Sequence, residues 1–329
     1  MGQQLGDRLE GIISRYIAAR PGADGVLQVD KLHAEAVPWV RDLPQRFHEE
    51  LEGLAAGANT DLQTVAEWLY VEMSIGNACS GFVYEYEGDL WIGRNNDSFV
   101  PDMWGFVMIR EVENRIPTMG FSMEGSLAMP TGVNRERLWL HVNALGASDS
   151  LTGIKPHGPS WLLVTEALEL CSSIDDVEHY LNSVERDDGS LLFAVDGKTN
   201  EAVIFECDRT THQRRDLSEQ RIVGTNHRCL VPEPNSNSTH EHRPNSQDRF
   251  DRVDQMLGTL FDSRSIELPN DLIQVLADDG VERRGTDFAT VYSNVACPAR
   301  REVWYTYGGY PAASSGDWDR VEWPWPDSD

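Results

Sequence analysis

The apolar residues of this 329-residue chain alternate between helical and strand-like spacing, and the order of alternation limits the folds open to it. Up to about residue 75 they recur at helical spacing, in LEGIISRYIAA, FHEELEGLAAGA and DLQTVAEWLYVEM, the last with Thr60 or Asp61 as its cap. From 80 to about 145 the period drops towards two, in GFVYEYEG, DLWIGRN, WGFVMIREV and RLWLHVNAL, and Glu87-Gly88-Asp89 turns the first two into a hairpin. SWLLVTEALELCSS and SIDDVEHYLNSV predict two helices, the second capped by Ser173 or Asp175. Strands return in SLLFAVDG, EAVIFECD and QRIVGTNH, then helices at about 247–260 and 269–278, then the strand pair FATVYSNVACP and REVWYTYGG. Such an order predicts an α+β fold with sheets packed face to face and helices outside. An αββα sandwich is one such arrangement, and the pattern alone does not separate it from other α+β layouts. No repeat of fixed period is present.

At 40% hydrophobic residues the chain can bury a core as one large domain or two modest ones. No apolar run is long enough to span a membrane, and the first twenty residues lack a signal-peptide core, so a soluble, cytoplasmic protein is expected, with no membrane partner. A formal net charge of −26 argues against a nucleic-acid partner, which needs a dense basic surface. Of the 28 basic residues only Lys31, Lys155 and Lys198 are lysines. That balance fits a salt-tolerant source or a genome that encodes Arg over Lys. Residues 231–249, rich in Pro, Asn and Ser, predict a flexible loop, and 312–329 a loose tail.

Five cysteines at wide spacings form neither a disulfide framework nor a CxxC metal knuckle. Cys171 and Cys207 fall within apolar runs and read as core. His227, Cys229, His240 and His242 carry zinc-ligand chemistry, but the polar gap between them and the lack of a second tight pair favour solvated histidines; neither metal nor organic cofactor is expected. The sequon-like Asn237-Ser238-Thr239 has no secretory context to act in.

Cys79 heads the first strand, among small residues and just before the hairpin. Taken alone it reads as a small buried hydrophobe. Cut from Ala78, it would carry a thiol and a free α-amine, and an amine with reference pKa of about 7.7 to 8.0 can serve as the thiol's base. Before cleavage the same sulfur can attack the Ala78 carbonyl. Asp97, 18 residues on, is returned by the hairpin to where it can hold that amine. Arg94 can lower the thiol pKa or bind a substrate carboxylate. Asp97 as a turn cap and Arg94 as a surface ion pair are the plainer alternatives.

CSGFVYEYEGDLWIGRNND, GVNRERLWLHVNAL, GTNHRCL and ATVYSNVACPARREVWY together resemble the autoproteolytic acyltransferases and amidases typified by isopenicillin N acyltransferase, relatives of the choloylglycine hydrolases. The resemblance spans roughly residues 45–308, and FHEELEGLAAGANTDLQTVAEWLY resembles the family's prosegment. It implies a four-layer αββα sandwich of the N-terminal nucleophile hydrolase type, with residues 1–78 as a helical prosegment that becomes a short chain and 79–329 as the catalytic domain. It further implies Cys79 as nucleophile, Asp97 as the acid that positions the amine, Arg94 as the arginine of the choloylglycine branch, Asn226 as oxyanion donor and Asn143 as an asparagine near the acyl site. Two positions depart from the family: Ala78 stands where glycine is usual, and Asp287 stands where a late arginine is, with Arg284 as its expected substitute.

The expected activity is hydrolysis or acyl transfer on a linear amide through an acyl-Cys79 intermediate. The partner is a small-molecule amide or acyl donor, the two chains stay associated, and a homo-oligomer is allowed. The acidic surface disfavours a highly anionic donor unless Arg94, Arg110 or Arg284 lines the pocket. The alternatives are an uncleaved thiol hydrolase pairing Cys79 with His141 or His227, and a non-enzymatic binding protein.

Overall fold

The structure is a computed structural model that describes residues 2–6, 8–19, 29–73, 78–99, 101–230, 243–261, 263, 265–286 and 288–326. The N-terminal helices are α1 (Gly2–Leu5), α2 (Arg8–Ala19), α3 (Val29–Asp42), α4 (Gln45–Ala58) and α5 (Leu62–Met73). Asn59 ends α4 in the left-handed conformation, its N–H donating to Ala55 and Ala56 carbonyls. Asp61 Oδ1 accepts the Thr64 N–H at 2.8 Å, which favours Asp61 as the residue that opens α5. The sequence pattern does not reveal α3, which carries Pro38 in its interior but buries Leu32, Ala36 and Val40 along one face.

Two antiparallel sheets follow. The strands are β1 (Ala78–Tyr86), β2 (Asp89–Phe99), β3 (Trp104–Arg110), β4 (Thr118–Met123), β5 (Thr131–Asn134), β6 (Leu138–Leu145), a short parallel pair β7 (His157–Gly158) and β8 (Glu185–Arg186), β9 (Gly189–Asp196), β10 (Glu201–Cys207), β11 (His212–Asp216), β12 (Arg221–Gly224), β13 (Phe288–Cys297), β14 (Glu302–Tyr307) and β15 (Asp317–Val321). One sheet runs β12-β1-β2-β13-β14-β15 and the other β11-β10-β9-β6-β5-β4-β3. The β1–β2 turn has positive φ at both Glu87 (53°) and Gly88 (85°), the handedness a two-residue hairpin needs.

Helices α6 (Ser160–Leu170) and α7 (Ile174–Ser183) cover the second sheet, while α8 (Arg243–Phe261) and α9 (Asn270–Leu276) cover the first. This is the four-layer αββα order. Ser173 caps α7 through a reciprocal box with Asp176, and Asn134 Nδ2 donates to the Leu168 and Cys171 carbonyls that α6 leaves open. A continuous core joins the facing sheets to α2–α5, so the N-terminal helices share their hydrophobic interior with the rest of the chain.

Two expectations need correction. Residues 243–249 belong to α8 rather than to a loop; 231–242 lie outside the described residues. The stretch 312–326 is not loose, because β15 pairs with β14 and Trp325 is buried against the core.

Candidate active site

In the β1–β2 register Cys79 faces Asn96 and Ala78 faces Asp97. Side chains alternate along a strand, so Cys79, Gly81, Arg94 and Asn96 point between the two sheets. Ser80, Asn95 and Asp97 point the other way, towards α8 and α9, where Arg249 meets Ser80 and Asn95 Nδ2 donates to the Leu276 carbonyl. The thiol and the Asp97 carboxylate thus lie on opposite faces of one sheet, and the group of Cys79 that lies between those faces is its backbone nitrogen.

That nitrogen donates to Asn226 Oδ1 at 2.9 Å. Arg249 ties the same corner together: Nη1 donates to the Cys79 carbonyl (2.6 Å) and Ser80 Oγ (2.7 Å), and Nη2 to Asn226 Oδ1 (2.8 Å). Its guanidinium stands 3.8 Å from Asp97 Oδ2, while Asp97 Oδ1 accepts from Thr290 Oγ1 at 2.7 Å. Burial pushes the Asp97 carboxyl up, with Arg249 the main opposing influence, and burial pushes Arg249 down. Asn226 is held by its own N–H to Ser246 Oγ and by Nδ2 to the Ala144 carbonyl.

On the inner face the thiol is fully buried, with Arg94 Nη2 at 3.6 Å and Asn96 Oδ1 at 3.7 Å. Burial raises its pKa and the Arg94 charge works against that rise. Arg94 is itself committed to protein acceptors: Nη1 donates to the Pro130 carbonyl and Thr131 Oγ1, and Nη2 to the Val142 carbonyl and Asn96 Oδ1. It can polarise the thiol, but its donors are engaged and a substrate carboxylate would have to displace them. Asn143 lies in the same inter-sheet space, with Nδ2 on the Gly224 carbonyl and Oδ1 buried without a partner among the described residues.

The structure therefore gathers Cys79, Ala78, Asp97, Arg94, Asn143 and Asn226 at one place. It does not bring Arg284 there: that guanidinium is half exposed and paired with Glu282 and Asp279. Asp287 lies outside the described residues. Arg249 was not among the residues singled out from sequence, yet it follows a readable signal. Ser246, Arg249, Val253 and Leu257 all fall on the buried stripe of α8, and an arginine on an apolar stripe is a charged group placed inside for a reason.

Among the described residues neither histidine is hydrogen-bonded to the thiol, whose polar contacts are Arg94 Nη2 and Asn96 Oδ1. His141 Nδ1 accepts from Trp139 Nε1, an obligate donor, at 3.0 Å, and burial holds the ring well below its usual pKa. The neutral ring must then carry its proton on Nε2, which makes that atom a donor and not a base. His227 Nδ1 is engaged with Ser246 and Thr225. Among the described residues no three His, Cys, Asp or Glu side chains group as metal ligands, and His240 and His242 lie outside them. No described helix is long and apolar enough to cross a membrane.

Facing antiparallel sheets covered on both sides by helices are the αββα fold of the N-terminal nucleophile hydrolase type. Solved structures of that fold superpose on this chain. A variant of conjugated bile acid hydrolase from Clostridium perfringens matches with a TM-score of 0.54 at 14% identity, covering 74% of this chain and 97% of its own. The Caenorhabditis elegans ortholog of N-acylethanolamine-hydrolyzing acid amidase gives 0.51 at 16% identity, over 67% of this chain and 93% of its own. Penicillin V acylase from Agrobacterium tumefaciens gives 0.51 at 14%, over 74% and 86%. No curated protein matches the sequence. Residues 84–310 match the family described as AAT, acyl-coenzyme A:6-aminopenicillanic acid acyl-transferase, and the chain belongs to it. The family is one of acyl-transferring enzymes.

Proposed function

We propose that the chain cuts itself between Ala78 and Cys79 and then hydrolyses a linear amide through an acyl-Cys79 intermediate. The observation that carries this reading is the clamp on the Cys79 nitrogen and carbonyl by Asn226 and Arg249. The same side chains would orient the Cys79 amine once the chain is cut. In the first stage Sγ attacks the Ala78 carbonyl carbon, the peptide C–N bond breaks, and the acyl group passes to sulfur while the nitrogen takes up a proton. That step frees the Cys79 amine; water then hydrolyses the thioester, releasing the Ala78 carboxylate and restoring the thiol.

In the second stage the freed amine, oriented by Asp97 and Asn226, takes the thiol proton as Sγ attacks the substrate amide. Asn226 and Asn143 flank the developing oxyanion, their Nδ2 groups turning to it from the Ala144 and Gly224 carbonyls, and the amine returns the proton to the leaving nitrogen. Water attacks the thioester in the same geometry. Hydrolysis of a neutral amide is favoured over transfer from a polyanionic donor. Arg94 and Arg110 are held by internal acceptors, Arg284 by surface carboxylates, and the chain carries a net charge of −26.

The short chain stays bound through a buried network across the cut. Arg46 and Glu50 of α4 meet Glu169 of α6 and Arg110 of β3, with Arg110 Nε 3.0 Å from Glu169 and Nη2 2.7 Å from Glu50. Intact mass under denaturing conditions tests the reading. Wild type should give two fragments that divide at Ala78–Cys79 and Cys79→Ala a single chain. One uncut chain in both samples would sink it.

A further inference from the structure

The thiol has one more neighbour that the proposed chemistry leaves unused. Asn96 is fully buried opposite Cys79, and its two amide ends differ sharply. Oδ1 accepts from Arg94 Nη2 at 2.9 Å. Flipping the amide would turn a donor against that guanidinium, so the orientation is fixed. Nδ2 is then aimed away from Arg94, and it has no hydrogen-bond partner among the described residues. Buried polar atoms are nearly always paired, and an orphaned donor beside a nucleophile is a vacancy for a ligand acceptor.

Its position says which part of the ligand that is. In the sheet β1 lies between β12 and β2. Asn226, just past β12, approaches Cys79 from one side, and Asn96, on β2, approaches from the other. With the oxyanion on the Asn226 side and the leaving nitrogen near the Cys79 amine, the acyl chain is the substituent left to face Asn96. An amide a few ångströms from sulfur reaches only the first carbons of that chain. The arginine beside it is committed to protein acceptors, so what meets the chain is a neutral donor.

Building on the proposed amidase reading, we infer that Asn96 is a specificity-determining residue whose Nδ2 donates to a neutral oxygen, ether or ketone, on the first two carbons beyond the scissile carbonyl. The enzyme selects oxygenated acyl groups over plain hydrocarbon ones, because the hydrocarbon leaves the amide unpaired.

The test compares methoxyacetyl and 3-oxobutanoyl 4-nitroanilides with the butanoyl 4-nitroanilide, on wild type, Asn96→Leu and Asn96→Asp. Wild type should favour at least one oxygenated substrate by about tenfold to a hundredfold in kcat/KM. Both variants should lose that preference, read within each variant as the ratio of oxygenated to butanoyl kcat/KM. Asn96→Asp retains an oxygen for Arg94 and so guards against a folding defect in Asn96→Leu. Equal wild-type rates on all three, or an equal loss on all three in the variants, would overturn the inference and leave the amidase reading standing. Absence of turnover and of any acyl adduct on Cys79 by intact mass would instead overturn the amidase reading, and this inference with it.

Discussion

The backbone nitrogen of Cys79 lies 2.9 Å from Asn226 Oδ1, which also accepts from Arg249. Two donors on one oxygen fix the side chain, and through it the peptide that self-processing would break. Asn226→Ala removes that acceptor. Precursor should accumulate, with processing about 10² to 10³ slower, the size of effect seen when one preorganised polar group at an acyl-transfer centre is lost. A time course of fragment appearance by intact mass measures it, and wild-type processing would show that the contact is incidental.

Arg249 compensates a buried carboxylate. Asp97 is fully inaccessible, and among the described residues its Oδ2 accepts no hydrogen bond and faces the Arg249 charge 3.8 Å away. Removing one member of a buried pair costs about 3 to 5 kcal/mol, because the other is left unbalanced. Arg249→Met should therefore lower the urea midpoint by an amount of that order, and the loss should shrink when Asp97→Asn is added. A double mutant that loses the full sum of the two single effects would remove the coupling.

Most of the layering was legible because it rests on hydrophobic period: α2, α4 and α5, the β1–β2 hairpin and the α6–α7 pair all sit where spacing and caps place them. β4 was not, since all six of its residues are buried and it shows no alternation. β11 was missed for the opposite reason: HQRRD is polar throughout and forms a sheet edge. At the site, Cys79, Asp97 and Asn226 are close in the sequence pattern or in quotable blocks, whereas Arg249 comes 170 positions after Cys79 on a helix that begins in what reads as loop. Asn96 was hidden by its neighbours: in RNND it is one polar residue among four, and only the strand register tells which of them faces the thiol.

The Arg46–Glu169–Arg110–Glu50 network should decide whether the proposed short chain remains after the cut. Glu169 is at its centre, buried and paired with two arginines. Glu169→Gln leaves Arg46 and Arg110 to share one carboxylate, Glu50, and should cost up to about 3 kcal/mol. After processing, gel filtration at low protein concentration should show the short chain separating from the variant and co-eluting with wild type. Co-elution in both would mean that the shared hydrophobic core alone holds the pieces.

Glu72 sets a pH dependence. It lies on α5 with one oxygen accepting from Ser126 Oγ at 2.5 Å and the other buried without a partner among the described residues, and burial raises its pKa to about 8. In the unfolded chain a glutamate titrates near 4.3. Between those values the native state binds the proton that the unfolded state has released. Stability from this group is full below the unfolded pKa and declines as pH rises towards 8, by up to about 1.4 kcal/mol per pH unit. Glu72→Gln keeps the hydrogen-bonding shape without the ionisation. It should match wild type near pH 4, exceed it increasingly from pH 5 to 8, and flatten the stability profile measured by urea titration across that range. Parallel profiles for the two proteins would mean that Glu72 is already ionised in the native fold, with Ser126 and solvent stabilising its charge.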